Sequence, residues 1–68
     1  MEDYSKKLGE NLKEIRTRKN TTQTEIARQL AVDKSFISNI ENGKTNPTLS
    51  TIANLAKALG VPINELLK

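Results

Sequence analysis

The sequence has no cysteine and no histidine, and these absences exclude several classes of protein. The 68-residue chain cannot be reinforced by disulfides, and it lacks the usual ligands of a structural zinc site. Catalysis also lacks its common residues, since there is no histidine or cysteine and the carboxylates are not clustered. We therefore expect a protein that is not an enzyme and that needs no metal and no cofactor.

Aromatic residues and long apolar runs are scarce as well. Tyr4 and Phe36 are the only aromatic residues, which argues against binding of single strands by base stacking. No apolar run is long enough to cross a bilayer, and the acidic Glu2 and Asp3 stand where a secretion signal would be basic. These absences predict a soluble, cytoplasmic protein that does not bind membranes.

What the chain does contain is apolar residues at helical spacing. No stretch alternates with period two, so we predict one all-α domain over residues 1–68 with five short helices. The first four predicted helices span residues 4–18, 23–30, 34–42 and 49–59. A last short helix begins with Pro62 in its first turn, and its apolar face consists of Ile63, Leu66 and Leu67.

Residues 22–45 form the stretch around which the other helices are arranged. Thr22 and Glu25 have the spacing of a capping box, which predicts a helix from Gln23. After a short break Asp33 can cap the next helix, and Gly43 can supply the positive φ that ends it. The other helix ends carry suitable stop and cap residues, namely Asn20, Thr48 and Gly60.

The third predicted helix has an apolar side and a polar side. At about 100° per residue Ile37 and Ile40 point one way, while small polar residues point the other. Asn39 can pair with adenine, Lys34 with guanine, and Ser35 with either base edge. We predict these three side chains, with Ser38 as a further candidate, as base contacts in a major groove; the alternative is an ordinary solvated face.

Residues on either side of this polar face are predicted to contact phosphates. The net charge of +3 is compatible with nucleic acid without establishing it, so the positions of the charges matter more. Gln23 begins the second helix, where free backbone N–H groups favour an anion. Asn42, Lys44 and Thr45 would hold the opposite edge of the groove. The alternative is that these are capping and ordinary surface residues.

The sequence resembles a known family, the phage-repressor and Cro-like (XRE) helix-turn-helix proteins. The helix-turn-helix itself would span about residues 22–43. The residues that carry the resemblance are Thr22, Gln23, Glu25, Ile26, Ala27, Leu30, Val32, residues 34–38, Ile40, Glu41 and Gly43, followed by residues 46–49, 55–61 and 65–67.

The resemblance implies a lambda-repressor-like domain with its third helix in the major groove, bound as a homodimer to a palindromic operator. The resemblance also assigns the family's base and phosphate contacts to the same residues named above. It further implies a structural ion pair between Arg16 and Glu41. This sequence departs from the family at Ala31, where a glycine is common, and at Asn20 and Thr21. The departures lie away from the predicted reading face.

Two functions are compatible with this pattern. The first is a small bacterial or phage transcription regulator, either a repressor or a restriction–modification controller, with double-stranded DNA as partner and RNA polymerase as a further one. The second is a protein-interaction module of the same fold, such as an antitoxin. We expect no small-molecule ligand, so regulation would come from protein amount, a partner or dimerisation. Ile63, Leu66 and Leu67, within residues 49–67, are the predicted dimer interface, unless they only close the monomer core.

Overall fold

The computed structural model describes residues 4–68, and within that range it contains five helices and no strand. The all-α prediction is confirmed. The helices are α1 (Tyr4–Arg18), α2 (Gln23–Leu30), α3 (Lys34–Glu41), α4 (Leu49–Leu59) and α5 (Asn64–Leu67). Helix α3 ends one residue before the predicted position, because Asn42 has left the helical conformation and serves as its C-cap.

Two helices begin with the predicted side-chain caps. At α2, Thr22 Oγ1 accepts the Glu25 N–H at 3.1 Å, and the Thr22 N–H donates to Glu25 Oε1 at 3.0 Å. These two bonds form a complete capping box. Hydrogen bonds to the Glu25 carboxylate, mainly from the Thr22 N–H and secondly from the Thr22 hydroxyl, hold the pKa of Glu25 below its ordinary value. At α4, Thr48 Oγ1 accepts the Thr51 N–H at 3.2 Å. Both predicted caps are therefore confirmed.

The prediction that Asp33 caps the start of α3 is correct for its position but wrong for its side chain. Asp33 occupies the N-cap position with an extended backbone, but its side chain makes no capping hydrogen bond. Its carbonyl accepts the Phe36 N–H at 3.0 Å, so the backbone alone closes the first turn. The carboxylate of Asp33 remains exposed to solvent.

The start of the last helix also differs from the prediction. The sequence predicts Pro62 in the first turn, but α5 begins at Asn64, and Pro62 lies before its N-cap, Ile63. The reason is a tighter turn, in which the Pro62 carbonyl accepts the Glu65 N–H at 3.0 Å. Residues 62–65 thus form a turn closed by a bond between positions three apart, in place of the first turn of an α-helix.

The core lies between the packed helices. Helix α3 packs against α1 and α2, α5 packs against α1, and α4 packs against α2. Its fully buried large side chains are Leu12, Ile26, Ile37, Ile40, Leu55 and Leu66. The burial of Leu66 corrects the predicted dimer interface, because a side chain that is 0% exposed cannot contact a second copy. Leu66 instead fills the core of its own chain.

Helix α5 is held by a side chain from α1. Asn11 Nδ2 donates to the carbonyl oxygens of Leu66 and Lys68, each at 3.0 Å. These bonds satisfy carbonyls at the end of a four-residue helix that would otherwise have no partner within the helix. Asn11 thereby fixes the position of Leu66 in the core.

Helix α3 approaches α1 closely at Gly9, which is buried. A Cβ atom at this position would lie 2.6 Å from the Glu41 carbonyl oxygen and nearer still to that of Ile40. A glycine in the middle of α1 therefore lets another helix pack closely against this position. The contact sets how near the end of α3 can come to α1.

Candidate nucleic-acid interface

Helices α2 and α3 are joined by a tight turn whose geometry depends on Ala31. This residue has φ of 58°, in the left-handed region that costs a residue with a Cβ atom about 1 kcal/mol. Its N–H donates to the Arg28 carbonyl at 3.2 Å, and the Val32 N–H donates to the Ala27 carbonyl at 3.0 Å. These bonds end α2 and direct the chain into α3.

The structure brings the predicted base-contacting residues together on one face of α3. Ile37 and Ile40 are fully buried and attach the opposite face of the helix to the core. The outer face consists of the exposed Lys34 and Ser35 and the half-buried Ser38 and Asn39. Phe36 lies on the flank of this face and is 37% exposed.

The predicted phosphate-contacting residues at the end of α3 are tied to the same face. The Lys44 N–H donates to the Asn39 carbonyl at 2.9 Å, and this turn requires the positive φ of 71° at Gly43. Asn42 Nδ2 donates to Ser38 Oγ at 3.4 Å. Asn42, Lys44 and the following Thr45 are all exposed. A polar surface is thus continuous from the outer face of α3 into the loop after it.

A buried ion pair fixes this end of α3 to α1. Glu41 accepts hydrogen bonds from Arg16 through Nε and through Nη2, the latter at 3.2 Å. The Glu41 side chain is 2% exposed and that of Arg16 is 15% exposed. Arg16 Nη1 also donates to the carbonyl of Thr21, in the connection between α1 and α2, at 2.9 Å. Arg16 is therefore occupied within the fold and does not face the outer surface of α3.

Gln23, which was predicted as a phosphate contact, has a partner that the sequence reasoning missed. Its Nε2 donates to Glu41 Oε1 at 3.0 Å. The signal was available, because a buried carboxylate needs several donors and Arg16 was the only one assigned to it. A glutamine amide carries two hydrogens, so one remains for the predicted contact with a phosphate.

A second surface of the molecule is apolar. Three of its exposed large hydrophobic side chains come from α1, α4 and α5, namely Tyr4, Leu49 and Leu67. Tyr4 and Leu67 line one groove together with Ile52 and Asn46, and Leu49 lies one turn before Ile52 on α4. Asn46 belongs to the loop after α3, so this groove begins beside the polar surface. Of the other two predicted interface residues, Ile63 is half-buried against the core.

Residues 4–68 contain neither a candidate metal site nor a candidate membrane-spanning helix. No group of three or more histidine, cysteine, aspartate or glutamate side chains in that range has a geometry that could hold a metal ion. Over the same residues, no helix is both long and apolar enough to cross a membrane.

The comparisons with known proteins agree with this geometry. The helix-turn-helix family model matches residues 12–66. An uncharacterized HTH-type transcriptional regulator of Sinorhizobium fredii, y4dJ, is 38% identical over 64 residues, which cover 94% of this chain and 83% of that protein.

Two solved structures are similar over most of the chain. The restriction-modification controller protein C.AhdI from Aeromonas hydrophila has a TM-score of 0.86 at 35% identity, with 91% of this chain and 94% of that one covered. The controller protein C.Esp1396I, crystallised as a tetramer in complex with its natural 35 base-pair operator, has a TM-score of 0.82 at 29% identity, with 100% of both chains covered.

Proposed function

Because the chain belongs to the XRE-type helix-turn-helix family of DNA-binding transcription regulators, we propose that it binds a specific double-stranded DNA site with α3 in the major groove. Proteins of this family are not enzymes, and neither is this chain. The observation that carries the proposal is the outer face of α3, where the exposed Lys34 and Ser35 lie beside two half-buried polar side chains, Ser38 and Asn39.

The base contacts are assigned to Lys34, Ser35 and Asn39, with Ser38 as a further candidate. The Asn39 amide has the donor and acceptor needed for N6 and N7 of adenine, and Lys34 can donate to O6 and N7 of guanine. The side chains on this face are short or flexible, so the backbone of α3 can approach the base edges closely. A good bidentate contact discriminates between bases by about 1–3 kcal/mol, so a few such residues are enough for one half-site.

The phosphate contacts are assigned to Gln23 on one side of α3 and to Asn42, Lys44 and Thr45 on the other. Lys44 is held near Asn39 through its backbone, so a lysine charge lies at each end of α3, the other being Lys34. Glu41, the acidic residue nearest the C-terminal end of the helix, is buried and paired with Arg16, which keeps its charge away from the DNA.

We further propose that the protein binds a palindromic operator as a homodimer, through the apolar surface that contains Leu67. Leu66 is excluded from that interface by its burial, and Ile63 contributes only its half-buried edge. Tyr4 and Leu49 extend the surface around Leu67. The groove borders the loop after α3, so a second copy seated there would continue along the same side of the DNA. The tetrameric assembly of C.Esp1396I on its operator supports binding of DNA by more than one copy of the chain.

The biological role that fits best is a repressor or a restriction–modification controller. The similarity to C.AhdI supports the controller role, in which RNA polymerase would be a further partner at the promoter. The second candidate function, a protein-interaction module such as an antitoxin, is less well supported because the outer face of α3 is polar. An interface for a protein partner would place more apolar area there.

Selection of binding sites from random duplex DNA tests this proposal, followed by measurements on two variants. We expect a palindrome with half-sites about one helical turn apart. Asn39→Ala should weaken binding to the selected site by about 1–3 kcal/mol and relax the preference at one base pair. Lys44→Ala should instead weaken binding to all duplexes alike and lower the salt slope by about one.

Three outcomes would contradict different parts of the proposal. Absence of any enriched sequence would overturn direct readout of bases by α3. An enriched site without two-fold symmetry would overturn the homodimer on a palindrome. If Asn39→Ala changed neither the affinity nor the base preference, the assignment of the reading face would be wrong.

A further inference from the structure

The buried carboxylate of Glu41 joins three elements of the fold, and its partners include one charged side chain and one neutral side chain. Arg16 of α1 already gives it two hydrogen bonds and a compensating positive charge. Gln23 of α2 adds a third bond, at 3.0 Å, from a neutral amide. Besides the compensating arginine, the buried carboxylate of Glu41 therefore holds a neutral side chain from the start of α2.

The amide of Gln23 is only partly used inside the protein. Its bond to Glu41 takes one of the two Nε2 hydrogens, and no second hydrogen bond of this side chain is found among residues 4–68. Gln23 is half-buried, whereas the Glu41 side chain is 2% exposed. One hydrogen is therefore bonded to the buried carboxylate, and the other has no partner among residues 4–68 and belongs to a side chain that is only half-buried.

We propose that Glu41 is a positioning residue for DNA binding, which holds the Gln23 amide so that its second hydrogen can donate to a backbone phosphate. The proposal rests on the DNA binding proposed above. Glu41 itself does not touch the DNA. Since a glutamine side chain has several rotatable bonds, fixing it before binding removes an entropic cost that would otherwise reduce affinity. Arg16 is needed as well, because its charge cancels the repulsion between the Glu41 carboxylate and the phosphate.

The charge of the contact gives it a recognisable signature. Gln23 is neutral, so its loss should lower affinity for every duplex without changing the number of counterions released. The salt slope should stay the same, in contrast to the loss of Lys44. From the cost of immobilising one flexible side chain, we expect the contribution of Glu41 through Gln23 to be about two- to tenfold in affinity.

A double-mutant cycle tests this link. Dissociation constants for one mixed-sequence duplex are measured for the full chain, Gln23→Ala, Glu41→Gln and the double variant, each under conditions where circular dichroism shows it to be folded. We expect Gln23→Ala to weaken binding by at least the two- to tenfold assigned to Glu41, and the loss in the double variant to be smaller than the product of the two single losses. The matched control is Gln29→Ala, an exposed glutamine on the same helix, which should bind as the unaltered protein does.

The outcomes separate this proposal from the proposed function. If the two single losses multiply in the double variant, Glu41 acts through the fold and not through Gln23, and the proposal is overturned. If Gln23→Ala binds normally while Lys44→Ala is weakened, DNA binding stands and the positioning role fails. If the unaltered chain binds no duplex, the proposed function itself fails.

A measurement without DNA keeps the proposal testable even if Glu41→Gln does not fold. Nitrogen-15 relaxation of side-chain amides in the free protein reports how rigid each glutamine is. The Gln23 amide should be nearly as ordered as the backbone, while that of Gln29 should be mobile. A Gln23 amide as mobile as that of Gln29 would overturn the positioning role.

Discussion

The two ends of α3 are held in different ways. At its C-terminal end Glu41 is buried and paired with Arg16, the last carbonyls rest on Gly9, and the Lys44 N–H closes the helix end on Asn39. At its N-terminal end Asp33 makes no capping bond through its side chain. The first two residues of the helix, Lys34 and Ser35, are exposed.

The two ends of α3 therefore have different roles: one end positions the helix, and the other end carries two of the proposed base contacts. The C-terminal end fixes where α3 lies relative to α1 and α2. The N-terminal end carries Lys34 and Ser35, which are exposed and therefore free to adjust to the base edges that we propose they contact. If α3 enters the major groove as proposed, anchoring at one end would combine a fixed approach to the groove with adaptable contacts.

The largest effect should follow from breaking the ion pair at the anchored end. Arg16→Ala leaves the Glu41 carboxylate buried without a compensating charge, which should lower the free energy of unfolding by about 3–5 kcal/mol. Urea denaturation followed by circular dichroism measures the loss. Arg18→Ala is the matched control, because Arg18 is exposed on the same helix and its loss should change stability by less than about 0.5 kcal/mol. Equal losses for the two variants would mean that the ion pair does not anchor α3.

A smaller effect is expected from the contact between α3 and Gly9. In Gly9→Ala the new methyl group would overlap the Glu41 and Ile40 carbonyls, so α3 would have to move away from α1. We expect a loss of about 1–3 kcal/mol in the free energy of unfolding, even though alanine favours a helix more than glycine does. Glu10→Ala, at the exposed neighbouring position, is the control and should be nearly neutral. A more stable Gly9→Ala variant would contradict the close approach of the two helices.

The smallest effects compare the start of α3 with the start of α2. Thr22→Ala removes the hydroxyl that accepts the Glu25 N–H and donates to Glu25 Oε1, while the backbone N–H of residue 22 can still donate to Glu25. This loss should cost about 1 kcal/mol of unfolding free energy. Asp33→Ala removes no hydrogen bond and should cost only about 0.3 kcal/mol, from the interaction of an exposed carboxylate with the helix dipole. Thermal denaturation of the two variants side by side measures the difference. If Asp33→Ala proved the more costly change, α3 would be held at its N-terminal end after all.

Local patterns in the sequence predicted the helices and most of their ends. Thr22 and Thr48 could be identified as caps because each bonds to a residue three positions later along the chain. Asp33 has the same local pattern, but its rotamer decides whether it bonds, and the pattern does not specify the rotamer. Pro62 was misplaced because the last helix is only four residues long and depends on bonds from Asn11, which is 55 residues before Leu66.

Contacts between distant residues were harder to predict. The outer face of α3 follows from helical periodicity, so the grouping of Lys34, Ser35 and Asn39 needed no tertiary information. The bond between Gln23 and Glu41 spans 18 residues and depends on how α2 crosses α3. The burial of Leu66 likewise depends on the docking of α5 on α1, because an apolar residue at that spacing suits a core and an interface equally.

The bonds from Asn11 to α5 have a consequence for how the molecule opens. A four-residue helix is far too short to persist by itself, so α5 exists only while it is docked on α1. Leu66 is among the most deeply buried side chains, yet it belongs to the element with the least helical structure of its own. Hydrogen exchange should therefore detect partial unfolding that begins at α5 and exposes the centre of the core, while α2 and α3 keep their protection.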